Sequence, residues 1–267
     1  MKKSKSDITS YTTEYIHEVF EVRLCEEGFV CPDDKLLCWY RLKGDEVFDS
    51  VIFRAQWPNL PLMIEILYES SPLFFAPLRI PNVQHNDSTH MRLDCRYHTA
   101  NLESGSLNAA NFALFAPQIP VMAPAYGGRG VYSFDEVILP KLNRIRSIED
   151  CYAWHKEEYI KTITAFTPMD KTMWYMSSSR EFVAEAVLQQ DTDIYPNLCR
   201  RVEKAIGMYE RLATRKPSDG ELATILEEWK ILEVVLFDGD RETFLKSIEQ
   251  RNRHTIKQFT KWGVLPK

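Results

Sequence analysis

The chain has 267 residues, of which 45% are apolar, and its formal net charge is -5 at pH 7. This length and apolar fraction suffice for one large core or for two smaller cores that pack together, and they argue against an intrinsically disordered chain. The weak negative charge argues against nucleic-acid binding, which needs a concentrated basic surface.

The N-terminus and the cysteines indicate where in the cell the protein is expected. Residues 1–7 are basic, as in a signal peptide, but polar residues such as Thr9 and Ser10 follow where such a peptide has an apolar run. No segment approaches the roughly 20 apolar residues that span a bilayer. The 6 cysteines form no Cys-x-x-Cys pair, a pattern typical of reduced thiols rather than of disulfides or structural zinc. We therefore expect a cytoplasmic protein with no membrane association, no metal and no cofactor.

The first predicted element is a helix over residues 13–27. Ile16, Val19, Phe20 and Leu24 recur at helical spacing. Gly28 follows at the position where a left-handed residue commonly ends a helix.

Residues typical of β-strands begin at residue 36. Residues 36–43 and 47–57 flank the turn Gly44-Asp45 and predict a hairpin, in which Val47, Val51 and Phe53 share one face. A second turn leads to a third, mostly apolar strand over 62–68, which we place centrally in an antiparallel sheet.

A further strand is predicted over 91–98, where polar and apolar residues alternate strictly. The loop over 116–130 follows, and from there the apolar periodicity becomes helical. Four helix starts are predicted from a serine followed three residues later by an acid. These pairs are Ser133 with Glu136, Ser147 with Asp150, Ser178 with Glu181, and Ser218 with Glu221.

Together these patterns predict an α+β fold, with an N-terminal helix packed on an antiparallel sheet and an all-helical C-terminal half. We place the boundary between an α+β domain, residues 1–132, and a helical domain or subdomain packed against it, residues 133–267.

The N-terminal third of the chain resembles the bacterial family catalogued as domain of unknown function 4304. The likeness rests on the order of a helix, Gly28-Phe29, Trp39-Tyr40-Arg41 and a strand that ends Arg54-Ala55-Gln56. After Gln56 the sequence departs from the family pattern. The resemblance implies a helix on an antiparallel sheet, and it implies no activity and no site residue.

One polar stripe is the main candidate site. The side chains of alternate residues project from one face of the strand over 91–98, and those on the polar face are His90, Arg92, Asp94, Arg96 and His98. Such a row suits an anionic ligand or a histidine placed for proton transfer. The alternatives are a solvated sheet face with cross-strand ion pairs, and a metal site that includes His85.

Other candidates have simpler interpretations. The glycines around Arg129 suit an anion at a helix N-terminus, but they also suit a plain flexible loop. His155 continues an apolar helical stripe, which predicts a buried, hydrogen-bonded histidine. The acids Glu227 and Glu228 are adjacent on a helix, so we interpret them as part of a solvated face.

No motif specifies a reaction, and we assign no catalytic residue. We expect a non-catalytic binding or interaction module of bacterial type, with a protein partner or self-association. The alternative is an enzyme or small-ligand binder that recognises an anionic group through residues 90–98.

Overall fold

The structure is a computed structural model that describes residues 13, 14, 16–33, 37–56, 62–75, 98–99, 112–114, 134–165 and 180–265. By their contacts these residues fall into two compact units. The first, which we call the sheet unit, contains the described residues up to 71, those in 98–146 and those in 256–265. The second, the helical unit, contains 72–75 and the described residues in 147–255. The predicted domain boundary after residue 132 stays a prediction.

Helix α1 consists of a π-helical turn, His17–Glu21, and the α-helix Val22–Glu26. Its apolar side is buried as predicted, with Phe20 and Leu24 fully inaccessible. Gly28 has a left-handed φ of 82°, and the amide of Phe29 donates to the carbonyl of Leu24 at 2.9 Å. The predicted glycine C-cap is therefore confirmed, because this bond satisfies a helix-end carbonyl.

Among the described residues, five strands form one sheet: β1 Cys38–Lys43, β2 Val47–Gln56, β3 Leu62–Pro72, β4 His98–Thr99 and β5 Phe112–Leu114. The order is β1-β2-β3-β4, and β5 also pairs with β3. The predicted hairpin is confirmed, since Lys43 faces Val47 across a turn in which Gly44 has a φ of 61°. The third strand is internal to the sheet, as its apolar sequence predicts.

Aromatic side chains cover both faces of this hairpin. On one face the Phe53 ring lies 4.7 Å from Phe20 and 5.3 Å from Trp39. On the other face Phe259 lies 5.5 Å from Phe48 and 5.9 Å from Tyr40. The hairpin is thus covered on both sides, and residues 47–53 of β2 are all buried.

Within the described ranges, α2 is a π-helical turn, Phe134–Ile138, followed by the α-helix Leu139–Arg144. The other helices described are α3 Ile148–Ala165, α4 Arg180–Leu188, α5 Tyr195–Arg215, α6 Gly220–Asp238 and α7 Arg241–Lys261. Two 3-10 turns, Leu73–Phe75 and Thr192–Ile194, lie between elements. In the described part of the chain, no helix combines the length and the apolarity that crossing a membrane requires. The α+β class with a helical C-terminal half is confirmed.

The observed N-termini of the helices can be compared with the predicted capping residues. The Ser147 and Asp150 side chains each accept from the other residue's backbone amide at 3.2 Å, which is a complete capping box. The start near 220 is confirmed, but its predicted cap is wrong, since Asp219 rather than Ser218 accepts from the Leu222 amide. The Asp219 carboxylate is one residue nearer the helix than the Ser218 hydroxyl, so the carboxylate caps the helix. The predicted caps Ser133 and Ser178 lie outside the described residues.

The five cysteines in the described ranges form no disulfide. Burial raises the pKa of the Cys38 thiol well above its ordinary value. Cys38 therefore stays protonated and behaves as a small apolar side chain.

Candidate ligand-binding pocket

The residues predicted to bind an anion fall mostly outside the described residues. This holds for His90, Arg92, Asp94, Arg96 and Arg129. His98 is described as part of β4, where it pairs with Tyr68 of β3. The anion-binding hypothesis for this stripe therefore stays a prediction.

A pocket with a cavity volume of about 50 Å³, open at its mouth, lies within the helical unit. Helices α4, α6 and α7 and the 3-10 turn after β3 enclose it. Its walls are mainly apolar, and its lining residues are Phe74, Phe75, Arg180, Ala184, Glu228, Ile231, Leu232, Phe244, Ser247, Ile248 and Arg251.

Helical spacing directs the lining side chains of α7 into the pocket. On α7, Phe244, Ser247, Ile248 and Arg251 recur at intervals of three and four residues, so one face of the helix presents them all. Helix α4 is so deeply enclosed that each residue from Arg180 to Val187 is buried. The pocket therefore stands on regular secondary structure, which holds its walls in place.

Two arginines share one carboxylate at the pocket. Arg180 Nη1 lies 2.7 Å from Glu228 Oε2, and Arg251 Nε lies 3.4 Å from Glu228 Oε1. Arg251 Nε also donates to the Phe74 carbonyl at 3.2 Å. The Arg180 guanidinium lies 5.3 Å from the centre of the Phe75 ring, within cation–π range. These contacts fix both guanidinium groups against the turn Leu73–Phe75.

The pocket lining contains three charged side chains. Among the lining residues there are two arginines and one glutamate, so they sum to one positive charge. The side chains of Arg180, Arg251 and Glu228 are only 6%, 13% and 22% exposed. Partial burial reduces solvent screening, so these three charges act strongly on one another.

Buried polar groups elsewhere in the helical unit hold helices together. His155 of α3 and Glu185 of α4 are both fully buried, with His155 Nδ1 2.7 Å from Glu185 Oε2. The predicted buried, hydrogen-bonded histidine is confirmed. Close by in sequence, the Asp191 carboxylate accepts hydrogen bonds from Lys156 and Tyr152. These two bonds, Lys156 first, lower the pKa of Asp191.

The sheet unit has its own polar group, centred on Asp49 of β2. Arg41 donates to Asp49 Oδ2 through Nε at 3.0 Å and through Nη2 at 2.5 Å, and Lys43 Nζ lies 2.6 Å from Oδ1. Ser70 also donates to Oδ1, at 2.5 Å. The fully buried carboxylate is thus surrounded by donors.

A broad surface depression of about 520 Å³ adjoins the Asp49 group and is lined by Arg41, Lys43, Gly44, Asn143 and Arg146. The two deeper cations direct their donors inward. Lys43 bonds Asp49, Ser70 and the Leu142 carbonyl, and Arg41 bonds Asp49, the Glu27 carbonyl and Asn143. Arg41 and Lys43 therefore satisfy carbonyls at the ends of α1 and α2, a structural role.

Sequence reasoning missed the pocket residues and misplaced one of them. Glu227 is exposed as expected, but the interpretation of Glu228 as part of a solvated face is wrong, because Glu228 pairs with two partly buried arginines. Its spacing carried the signal, since Glu228 lies three residues after Ile225 and four before Leu232, both buried. Arg251 similarly follows Phe244 by seven residues on one helix face.

Comparisons with protein-family models, with curated proteins and with solved structures find no match to this chain. The resemblance to domain of unknown function 4304 therefore stays a prediction, and the geometry of the pocket carries the functional argument.

Proposed function

We propose that the chain is a non-catalytic binding module, and that the pocket of its helical unit holds a small ligand with an apolar body. The observation that carries this proposal is an apolar pocket that ends at the ion-paired group of Arg180, Glu228 and Arg251. Small-molecule sites commonly have this composition, with apolar walls for affinity and a few fixed polar groups for orientation.

The apolar walls provide the driving force. Burying apolar surface is worth about 25 cal/mol per Å². A ligand of modest size that covers Phe75, Ile231 and Phe244 gains this free energy without first reshaping the pocket, because regular helices hold its walls.

The polar groups suit recognition better than proton transfer. Guanidinium groups keep their protons at neutral pH, so Arg180 and Arg251 bind anions but do not act as acids or bases. Ser247 donates its hydroxyl proton to the Phe244 carbonyl of its own helix at 2.7 Å. The lining therefore supports binding rather than nucleophilic chemistry.

The test is a binding screen with a filled-pocket variant. Phenylacetate, phenylacetamide, hexanoate and hexanamide are titrated while the melting temperature is followed, since a ligand that binds only the folded state stabilises it. Ser247→Leu places an apolar side chain in the pocket and should abolish the stabilisation. Gln250→Leu adds the same side chain at an exposed position of the same helix and should leave it unchanged.

Two results would count against this function. The first is the absence of stabilisation or of a measurable Kd for every probe with the wild type. The second is equal binding by Ser247→Leu, which would place the ligand elsewhere. Probes recovered chemically unchanged after long incubation are expected of a non-catalytic module, and consumption of a probe would contradict it.

A further inference from the structure

We infer that the pocket selects its ligand by shape. It prefers a narrow, unbranched alkyl end to a bulky branched one, and Ala184 sets this limit. The inference rests on the proposed function and deepens it, since it names the class of ligand. It is carried by the small volume of the pocket and by the buried side chains that bound it.

The enclosed volume limits how much of a ligand the pocket can hold. An apolar cavity of roughly 150 Å³ holds a benzene molecule, whereas this pocket has about 50 Å³. It therefore encloses only the last few carbon atoms of a ligand, and the remainder lies at the open mouth. A straight chain has an end of this size, but an end that branches at a quaternary carbon is too wide.

Burial separates the floor of the pocket from its mouth. The apolar lining residues that are almost inaccessible to solvent form the floor, and they are Phe74, Phe75, Ala184, Leu232 and Phe244. Lining residues that are only half-buried form the mouth, among them Ile231, Ser247 and Ile248. The apolar end of a ligand gains most at the floor, where it is removed from water, while its polar atoms stay solvated at the mouth.

The floor resists widening. The rings of Phe74 and Phe75 pack against each other with their centroids 4.7 Å apart, and the Arg180 guanidinium lies 5.3 Å from the centre of the Phe75 ring. Protein interiors are packed closely enough to respond to a change of a single methylene group. A wide ligand end would have to displace these rings, which costs free energy.

Ala184 sets the size limit, because its side chain is the smallest among the described lining residues. It lies on α4 one turn after Arg180, on the face that borders the pocket. Each residue of α4 from Arg180 to Val187 is buried, so the backbone at Ala184 is held in place. Removing the methyl group of Ala184 should therefore enlarge the floor, and a valine at this position should fill it.

The test compares two neutral isomers, hexanamide and 3,3-dimethylbutanamide, which contain the same atoms but differ in width. Their Kd values are measured by NMR titration. We expect the wild type to bind hexanamide several-fold more tightly, because only its straight chain reaches the floor. Ala184→Gly should bring the affinity ratio closer to one by admitting the branched isomer. Ala184→Val should weaken hexanamide binding about tenfold.

Ala186→Gly is the matched control. Ala186 is also fully buried on α4 but does not line the pocket. The change removes the same methyl group and lowers helix propensity equally, so the affinity ratio should keep its wild-type value. Should Ala184→Gly fail to fold, the wild-type preference and the Ala184→Val variant still decide the question.

The outcomes separate this inference from the proposed function. Equal affinities for the two isomers, or a preference for the branched one, overturn the inference but leave a binding pocket in place. A ratio that Ala184→Gly changes no more than Ala186→Gly does also overturns it. If hexanamide does not bind while phenylacetate does, the inference fails alone. If no probe binds, the proposed function fails and the inference fails with it.

Discussion

Two groups of charged side chains, one in each unit, share a composition but differ in setting. Asp49 in the sheet unit and Glu228 in the helical unit each lie within 4 Å of two cations. Asp49 is fully buried, whereas the Glu228 side chain is 22% exposed beside an apolar pocket. Ion pairing alone therefore does not mark a functional site.

What separates the two groups is where the donors point. Arg41 and Lys43 direct their hydrogen bonds to Asp49 and to backbone carbonyls at helix ends, which fastens α1 and α2 to the sheet. Arg180 and Arg251 lie beside a pocket with apolar walls, whereas Arg41 and Lys43 lie beside a broad surface depression lined by polar residues and Gly44. We therefore expect the Asp49 group to determine stability, and the Glu228 group to determine binding.

The largest expected effect comes from removing Asp49. Asp49→Ala leaves Arg41 and Lys43 without their buried counterion, which should cost about 3 to 5 kcal/mol of unfolding free energy. Urea denaturation measures this loss. Glu46→Ala, in the exposed turn of the same hairpin, should change stability by less than about 0.5 kcal/mol. A loss below about 1 kcal/mol for Asp49→Ala would contradict a structural role.

A direct comparison of the two carboxylates should show a smaller effect at the pocket. Glu228→Gln should cost about 1 to 2 kcal/mol, because the glutamine amide still accepts a hydrogen bond and the Glu228 side chain is 22% exposed. Asp49→Asn should cost clearly more, since its amide cannot accept from all of the same donors. If the two variants lost equal stability in urea, the distinction between the groups would not hold.

The same comparison shows what the sequence could and could not predict. Strand alternation and helical stripes are local, so the hairpin, the internal third strand and the helical half were all predictable, as was buried His155. The pocket was not, because it joins residues as distant as Phe74 and Arg251. The role of Asp49 was not predictable either. It lies between Val47 and Val51 on a strand face whose alternation predicts apolar side chains, and nothing in that local pattern indicates a buried carboxylate.

The N-terminal cap of α6 is a second place where the structure and the sequence pattern can be compared, with a smaller expected effect. Asp219→Ala should cost about 1 kcal/mol, because the Leu222 amide loses its side-chain acceptor. Ser218→Ala, at the position that the capping-box pattern indicated, should cost only a few tenths. Thermal unfolding of the two variants checks the order, and a larger loss for Ser218→Ala would reverse the assignment.

The smallest expected effect is on the stability of the folded protein at low pH. The pKa of Asp191 is lowered in the folded state, so its stabilisation is present above the unfolded pKa of about 4 and is lost as pH falls through the folded pKa. Asp191→Asn should therefore be less stable than wild type at pH 7, with the difference narrowing below about pH 4. Asp193→Asn, at an exposed neighbour, serves as the control. A gap that stayed constant down to pH 2 would rule out this linkage.

The central claim is that Arg180 and Arg251, beside the apolar pocket, bind a ligand while Arg41 does not, and NMR of arginine side chains tests it most directly. Phenylacetate is titrated into ¹⁵N-labelled protein while the Nε–Hε resonances of Arg41, Arg180 and Arg251 are followed. We predict saturable shifts for Arg180 and Arg251 and an unchanged Arg41. Shifts at Arg41, or no change at Arg180 and Arg251, would contradict the claim.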